Sequence, residues 1–204
     1  TPTVTTTYQV EVEQQASASQ AYLLDTVEFT ITVINPPAPN AGVDQTVCLG
    51  TPISLSGIES YTPNSSTWQT VVPPGLTPAA TASFSPNFSS LTPTVTVNQP
   101  GLYKFILRES STVCGMGRDT VLVTVSDVNL TATPTSPSCG GYSDGQIAIT
   151  SSGATEYSFD GGSTWQTSNT QGGFTAGPYT VCAKNIHGCQ KCITTTIIDP
   201  VPVT

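Results

Sequence analysis

The sequence predicts an all-β protein of tandem β-sandwich modules joined by short Pro-rich linkers, and three observations carry that prediction. Charged residues make up only 9% of the 204 residues. Amphipathic helices draw on more Lys, Glu and Leu than such a composition holds. Blocks of alternating β-branched and apolar residues recur between Gly, Pro and Asn turns, which is the period of half-buried strands. One hairpin pattern is also written three times. At 101–125, Gly101-Leu102-Tyr103 opens a strand to Leu107, a loop carries Cys114, and Asp119-Thr120-Val121 opens the return strand. Near the start, Tyr8-Gln9-Val10-Glu11-Val12 and Asp25-Thr26-Val27-Glu28-Phe29 repeat it with one more residue of spacing. Near the end, Gly177-Pro178-Tyr179 opens a third copy, closed by residues 193–198. Each copy reads as the last hairpin of a β-module.

Charge and cysteine content narrow the function classes. Net charge is −8 with five Lys plus Arg, so no basic stripe exists to neutralise phosphates, and nucleic acid is excluded as a partner. Six cysteines in a chain of this composition fit an oxidising, extracellular compartment. No apolar run approaches the ~20 residues of a membrane-spanning helix. No charged-then-apolar leader opens the chain, so one is expected upstream or already removed. The expected product is secreted, soluble and part of something longer.

Taken in order, residues 1–36 hold a Thr-rich lead-in and the first hairpin. An isolated hairpin is marginal in water because nothing covers its apolar face. Two readings follow: the segment is the C-terminal hairpin of a truncated preceding β-domain, or a strand-exchange arm completed by another subunit. Pro36-Pro37-Ala38-Pro39 is expected to be a short stiff linker.

Residues 37–127 form the next module, with strands expected at 43–48, 53–56, 67–72, 80–84, 94–98, 102–107 and 120–125. Seven short strands at this spacing read as an immunoglobulin-like sandwich. Trp68, on the third strand, is expected to fill the gap between its sheets. Ala41-Gly42-Val43-Asp44-Gln45-Thr46-Val47-Cys48, Leu55-Ser56-Gly57, Thr67-Trp68 and Gly101-x-Tyr103 resemble the PKD-like domains of bacterial surface proteins. That resemblance implies a disulfide from the first strand to the last hairpin, Cys48 with Cys114.

Residues 128–204 form the last module. Cys139-Gly140-Gly141, residues 144–149, Tyr157 to Trp165, residues 176–181 and residues 185–189 are similar, in order and spacing, to the SprB repeat. That family recurs in very large cell-surface adhesins of gliding, Bacteroidetes-type bacteria that use type IX secretion. The usual repeat has one cysteine at each end, matching Cys139 and Cys189, with Cys182 and Cys192 as an addition. Three pairings of these four are open. A five-residue loop at 185–189 places Cys182 directly opposite Cys192, at a cross-strand distance of about 4.5–5.5 Å that suits a disulfide. Cys189 is then left to turn toward Cys139.

Other residues invite chemical readings. Ser158, Asp160, Gly162, Thr164 and Trp165 fit the Asp-box pattern of sialidase propellers, where the box stabilises a turn and does not catalyse. It occurs once here, whereas a propeller repeats it on each blade. His187 is the only histidine and falls in an expected turn, so it reads as a solvated loop residue. Asp44, Asp127, Asp144 and Asp160 lie at expected module edges but in no dense Asp-x-Asp run, so turn capping is preferred over calcium. No cofactor is expected. Asn64, Asn87 and Asn129 head glycosylation sequons that are silent in a bacterial host. Asp25-Thr26-Val27 and Asp119-Thr120-Val121 resemble an O-glycan acceptor of such bacteria, although Thr serves a strand equally well.

The resulting functional reading is a non-catalytic segment of a large secreted adhesin or surface filament, a disulfide-tied stalk for adhesion or gliding motility. Its expected partners are neighbouring β-domains and surface polysaccharide. The alternatives are a carbohydrate-binding or spacer module of a secreted hydrolase, marked by exposed coplanar tryptophans, and a filament subunit assembled through residues 1–36.

Overall fold

A computed structural model describes residues 3–14, 23–60, 65–75 and 79–200. It holds fifteen strands and, among the described residues, no helix. The chain is all-β, with two immunoglobulin-like sandwiches in tandem.

β1 (Thr6–Gln14) and β2 (Leu23–Ile31) pair antiparallel as a separate two-stranded sheet, with Tyr8 opposite Phe29 and Val10 opposite Val27. The side-chain period of two puts Tyr8, Val10, Val27 and Phe29 on one face. These residues are 38 to 52% exposed, so that face is uncovered.

The first sandwich follows. One sheet runs β3 (Gln45–Cys48), β9 (Gly115–Ser126), β8 (Gly101–Ser111), β5 (Ser65–Val71), with β3 parallel to β9 and the other pairs antiparallel. The facing sheet runs β4 (Ile53–Ser54), β7 (Thr94–Val97), β6 (Ala82–Ser85). Alternation along β8 and β9 sends Tyr103, Phe105, Leu107, Val121, Val123 and Val125 inward, where they meet Ile53, Leu55 and Val95. Trp68 lies in this core at 4% exposure, with its indole N–H donating to Ser90 O at 3.0 Å. Gly57 passes directly above it. A Cβ there would lie 2.9 Å from both Trp68 and Leu107, so the close approach requires glycine.

Two features differ from the sequence expectation. β8 runs four residues beyond Leu107 and β9 starts four before Asp119, leaving only a tight turn around Cys114. The Pro-rich segment is a docked strip, with Pro37 and Pro39 buried against this extension. The backbone of Asn40 pairs with Ile58, and Ala41 N donates to Asp119 Oδ2 at 2.8 Å. These contacts explain the longer hairpin: its tip gains a cover that alternation within 101–125 does not reveal. Gly117 makes the fit possible, since a Cβ there would lie 2.0 Å from Pro37 O. The fully buried Glu109 carboxylate accepts from Ser60 N and, at 2.7 Å, from Ser60 Oγ.

The second sandwich pairs β10 (Asn129–Thr135), β11 (Gly145–Ser152) and β13 (Thr170–Phe174) in one sheet. The other holds β12 (Ala154–Ser158), β14 (Gly177–Asn185) and β15 (Gln190–Ile197). Ile147, Ile149, Phe159, Phe174, Val181 and Ile197 meet between them, joined by Val128 from the connection.

The two sandwiches share a corner. Tyr103 Oη donates to Gln99 O at 2.9 Å and Tyr179 Oη to Thr175 O at 3.0 Å, in both cases four residues upstream. A tyrosine at the start of the penultimate strand, bonded back to the chain that leads into it, is a recurrent device of immunoglobulin-like sandwiches. Burial raises the Tyr103 phenol above its ordinary pKa.

Candidate functional site

The most heavily constructed place in the molecule is the junction of the two sandwiches. β9 ends at Ser126 and β10 begins at Asn129, so only Asp127 and the buried Val128 separate them. Ser126 O accepts from Leu49 N at 2.8 Å, and Ser126 Oγ accepts from the Asn185 amide at 2.8 Å. Asn185 Oδ1 accepts from His187 N and Cys189 N, both at 3.0 Å, which shapes the turn between β14 and β15. That turn presents Cys189 to the end of β3. Cys48 and Cys189 form a disulfide there, with Cα atoms 5.3 Å apart and 141 positions of sequence between them.

This bond corrects two expected pairings. Cys48 does not pair with Cys114, and Cys189 does not pair with Cys139; both remaining thiols are free. Cys114 turns toward the docked strip, its Sγ 3.3 Å from Ile34 O, and Cys139 is exposed at the head of the β10–β11 connection. The pairing implied for each module alone gives way because Cys48 ends its strand at the sandwich edge, where the neighbouring module supplies a closer partner. Cys182 and Cys192 stand opposite each other across β14 and β15 and are bonded, with Cα atoms 4.1 Å apart. Closing a loop of 141 positions restricts the unfolded chain by an entropy equivalent to about 5 kcal/mol.

The Asp-box residues gather in one turn between β12 and the Tyr157–Gln166 bridge. Ser158 Oγ donates to Asp160 Oδ1 at 2.7 Å and accepts from Gly162 N at 2.8 Å. Thr164 donates twice to the Asp160 carboxylate, from its amide at 2.9 Å and its hydroxyl at 2.6 Å. Gly161 and Gly162 adopt positive φ, which the turn requires. These donors, Thr164 first and then Ser158, hold the Asp160 carboxyl well below the usual carboxylate range. A carboxylate so engaged is a turn clasp.

Trp165 is half-buried beside this turn, with Lys184 Nζ 4.3 Å above its ring. The same ammonium is paired with Glu156 at 2.7 Å. One tryptophan is thus a core residue and the other has a face occupied by a cation, so they form no coplanar exposed platform. His187 is exposed in its turn. An open cleft of about 550 Å3 lies between the docked strip and Ser60, lined by Thr32, Val33, Ile34 and Asn35. Hydroxyl, amide and aliphatic groups line it, and it carries no acid–base pair.

Asp44 and Asp144 each cap a backbone amide. Asp44 Oδ1 accepts from Leu122 N at 2.8 Å, and Asp144 Oδ1 accepts from Ser138 N at 2.9 Å. Ser138 holds the Asp144 carboxyl below its ordinary pKa. Among the described residues, no group of three or more His, Cys, Asp or Glu is placed to hold a metal ion. Asn64 lies outside the described residues. No helix among them is long and apolar enough to cross a membrane.

Sequence reasoning missed Asn185, Ser126 and Glu109, all central to the packing. Asn at a turn and Ser at a strand end are ordinary there, so neither carried a distinguishing signal. Glu109 sits on the inward period of β8, a polar residue in an apolar register, and that mismatch was legible.

No family model and no curated protein matches the chain. Among solved structures it is similar to the insect immune protein hemolin at 16% identity and a TM-score of 0.42, covering 93% of this chain and 55% of that one. It is similar to human CDH23 EC21-23 at 13% identity and a TM-score of 0.40, covering 94% and 74%. It is also similar to the N-terminal four Ig domains of Dscam1 isoform 6.44 at 11% identity and a TM-score of 0.37, covering 92% and 53%. The chain spans about half the length of hemolin and of the Dscam1 fragment.

Proposed function

We propose that this chain is a non-catalytic segment of a large, secreted, modular cell-surface adhesin or surface filament. The observation that carries the proposal is the Cys48–Cys189 bond, which ties two sandwiches covalently across a two-residue connection. Such a tie suits a spacer that holds its shape outside the cell, where disulfides persist. In this reading the modules are 1–36, 37–127 and 128–204, the first being the C-terminal hairpin of a preceding β-domain or a strand-exchange arm. The reading also draws on the sequence resemblance of the middle module to PKD-like domains and of the last to SprB repeats. These resemblances extend the proposal to a gliding-type bacterial adhesin exported by type IX secretion, with surface polysaccharide among its partners.

Antibodies raised against residues 37–200 test it on intact cells of the source organism. The expected result is surface labelling before permeabilisation, in a polypeptide much larger than 21.2 kDa. Labelling only after permeabilisation overturns the proposal. The carbohydrate-module alternative is tested by a glycan array probed with this chain, where reproducible binding abolished by Trp165→Ala would favour it.

A further inference from the structure

We propose that the Cys48–Cys189 disulfide is a load-bearing staple that takes both sandwiches out of the path of tension. That the chain experiences tension rests on the stalk reading above; where the force travels depends only on the covalent connectivity. A pull applied through neighbouring segments enters before Cys48 and leaves after Cys189. Between them lie β4 to β14, which include nearly all of both cores. With the bond closed, the covalent path of tension runs from Cys48 through two sulfur atoms to Cys189, and the 140 residues in between lie outside it. Of the sandwich strands, only β3 and β15 are left in that path.

Both of those are anchored. β3 lies parallel to β9 over four residues, Gln45 to Cys48 against Val123 to Ser126. β15 is fastened to β14 by the Cys182–Cys192 bond three residues past Cys189, and it pairs with β14 along eight residues. The junction reinforces the alignment, because the Asn185 side chain that shapes the Cys189 turn also bonds Ser126, the residue opposite Cys48 in the β3–β9 register. Both sulfurs are thus presented by one hydrogen-bonded corner. Strength along the stalk is then set by a covalent bond and two short strand pairings, while the cores keep only the ordinary marginal stability of small domains.

Single-molecule force spectroscopy on the full 204-residue chain, held by its two ends, tests the proposal. The oxidised protein is expected to lengthen only by the hairpin, the docked strip and the peeled outer strands. The variant Cys48→Ser/Cys189→Ser, with Cys182–Cys192 kept, is expected to release in addition about 130 of the 140 enclosed residues, those up to Cys182, on the order of 450 Å at 3.3–3.6 Å per residue. Should that variant fail to fold, reductant added to wild-type molecules already mounted opens both disulfides and is expected to release all 140 residues between Cys48 and Cys189, on the order of 480 Å at 3.3–3.6 Å per residue. Oxidised wild-type protein that releases the full length overturns the staple. So does a non-reducing digest in which the Cys48 peptide is not joined to the Cys189 peptide. Failure of the adhesin reading shows separately, as absence of surface labelling, and leaves these lengths unchanged.

Discussion

The β1–β2 hairpin and the β8–β9 hairpin share one pattern, an aromatic start and an Asp-Thr-Val return strand, and live in opposite environments. Tyr103 and Phe105 are fully buried, stacked on each other at 6.2 Å, with Phe84 edge-on to Phe105 at 6.0 Å. Tyr8 and Phe29 stack at 5.4 Å on a face open to water. Local pattern therefore decides that a hairpin forms and which side of it is apolar. Burial is decided elsewhere, by whether a second sheet is present to cover that side. In the first sandwich β4, β7 and β6 supply the cover, and among the described residues nothing supplies it to β1–β2.

That contrast is broken most severely at Phe105. Phe105→Ala empties a fully enclosed site, for which a loss of about 3–5 kcal/mol is expected. The matching Phe29→Ala on the open hairpin is expected to change stability by no more than about 0.5 kcal/mol. Urea unfolding followed by tryptophan fluorescence measures both, and equal losses would mean that the β1–β2 face is covered in solution. Overfilling the same core is next in size. Gly57→Ala forces a methyl against Trp68 and Leu107, with an expected cost of about 1–3 kcal/mol in the same assay.

The corner hydroxyls sharpen the comparison further. Tyr103→Phe and Tyr179→Phe each remove one hydrogen bond to backbone, with an expected loss of about 1 kcal/mol, whereas Tyr8→Phe retains its stacking and is expected to be silent. The smallest effect is electrostatic and confined to acid. Because the folded Asp160 carboxyl sits below its unfolded value, its contribution is present above about pH 4 and fades as pH falls toward the folded value. The urea midpoint of wild type should therefore exceed that of Asp160→Asn at pH 7, and the gap should narrow by pH 3. A gap independent of pH would assign the effect to turn geometry alone.

Much of this architecture was legible in the residues, and the exceptions share a cause. Alternation placed the strands of the first sandwich to within a few residues, and loop counting set Cys182 opposite Cys192, because both depend on neighbours in the chain. The partner of Cys48 was not legible. It depends on how two folded bodies meet, which no local period encodes. The same holds for the Pro-rich strip: proline predicts an extended backbone, yet only the groove above Gly117 makes that backbone a part of the fold. The Asp-box is legible as a turn because its chemistry is local, with Ser158, Asp160 and Thr164 inside seven residues.

Gly117 bears on how the molecule points. The Pro37 carbonyl rests where a single methyl group would stand, so the direction in which the N-terminal hairpin departs is set by one missing carbon atom. Gly117→Ala should act like a wedge under a door. The sandwich would stay closed, the strip from Pro37 to Pro39 would lift, and whatever is attached ahead of it would aim elsewhere. Orientation along the proposed stalk would therefore be retuned by a substitution that leaves every core residue in place.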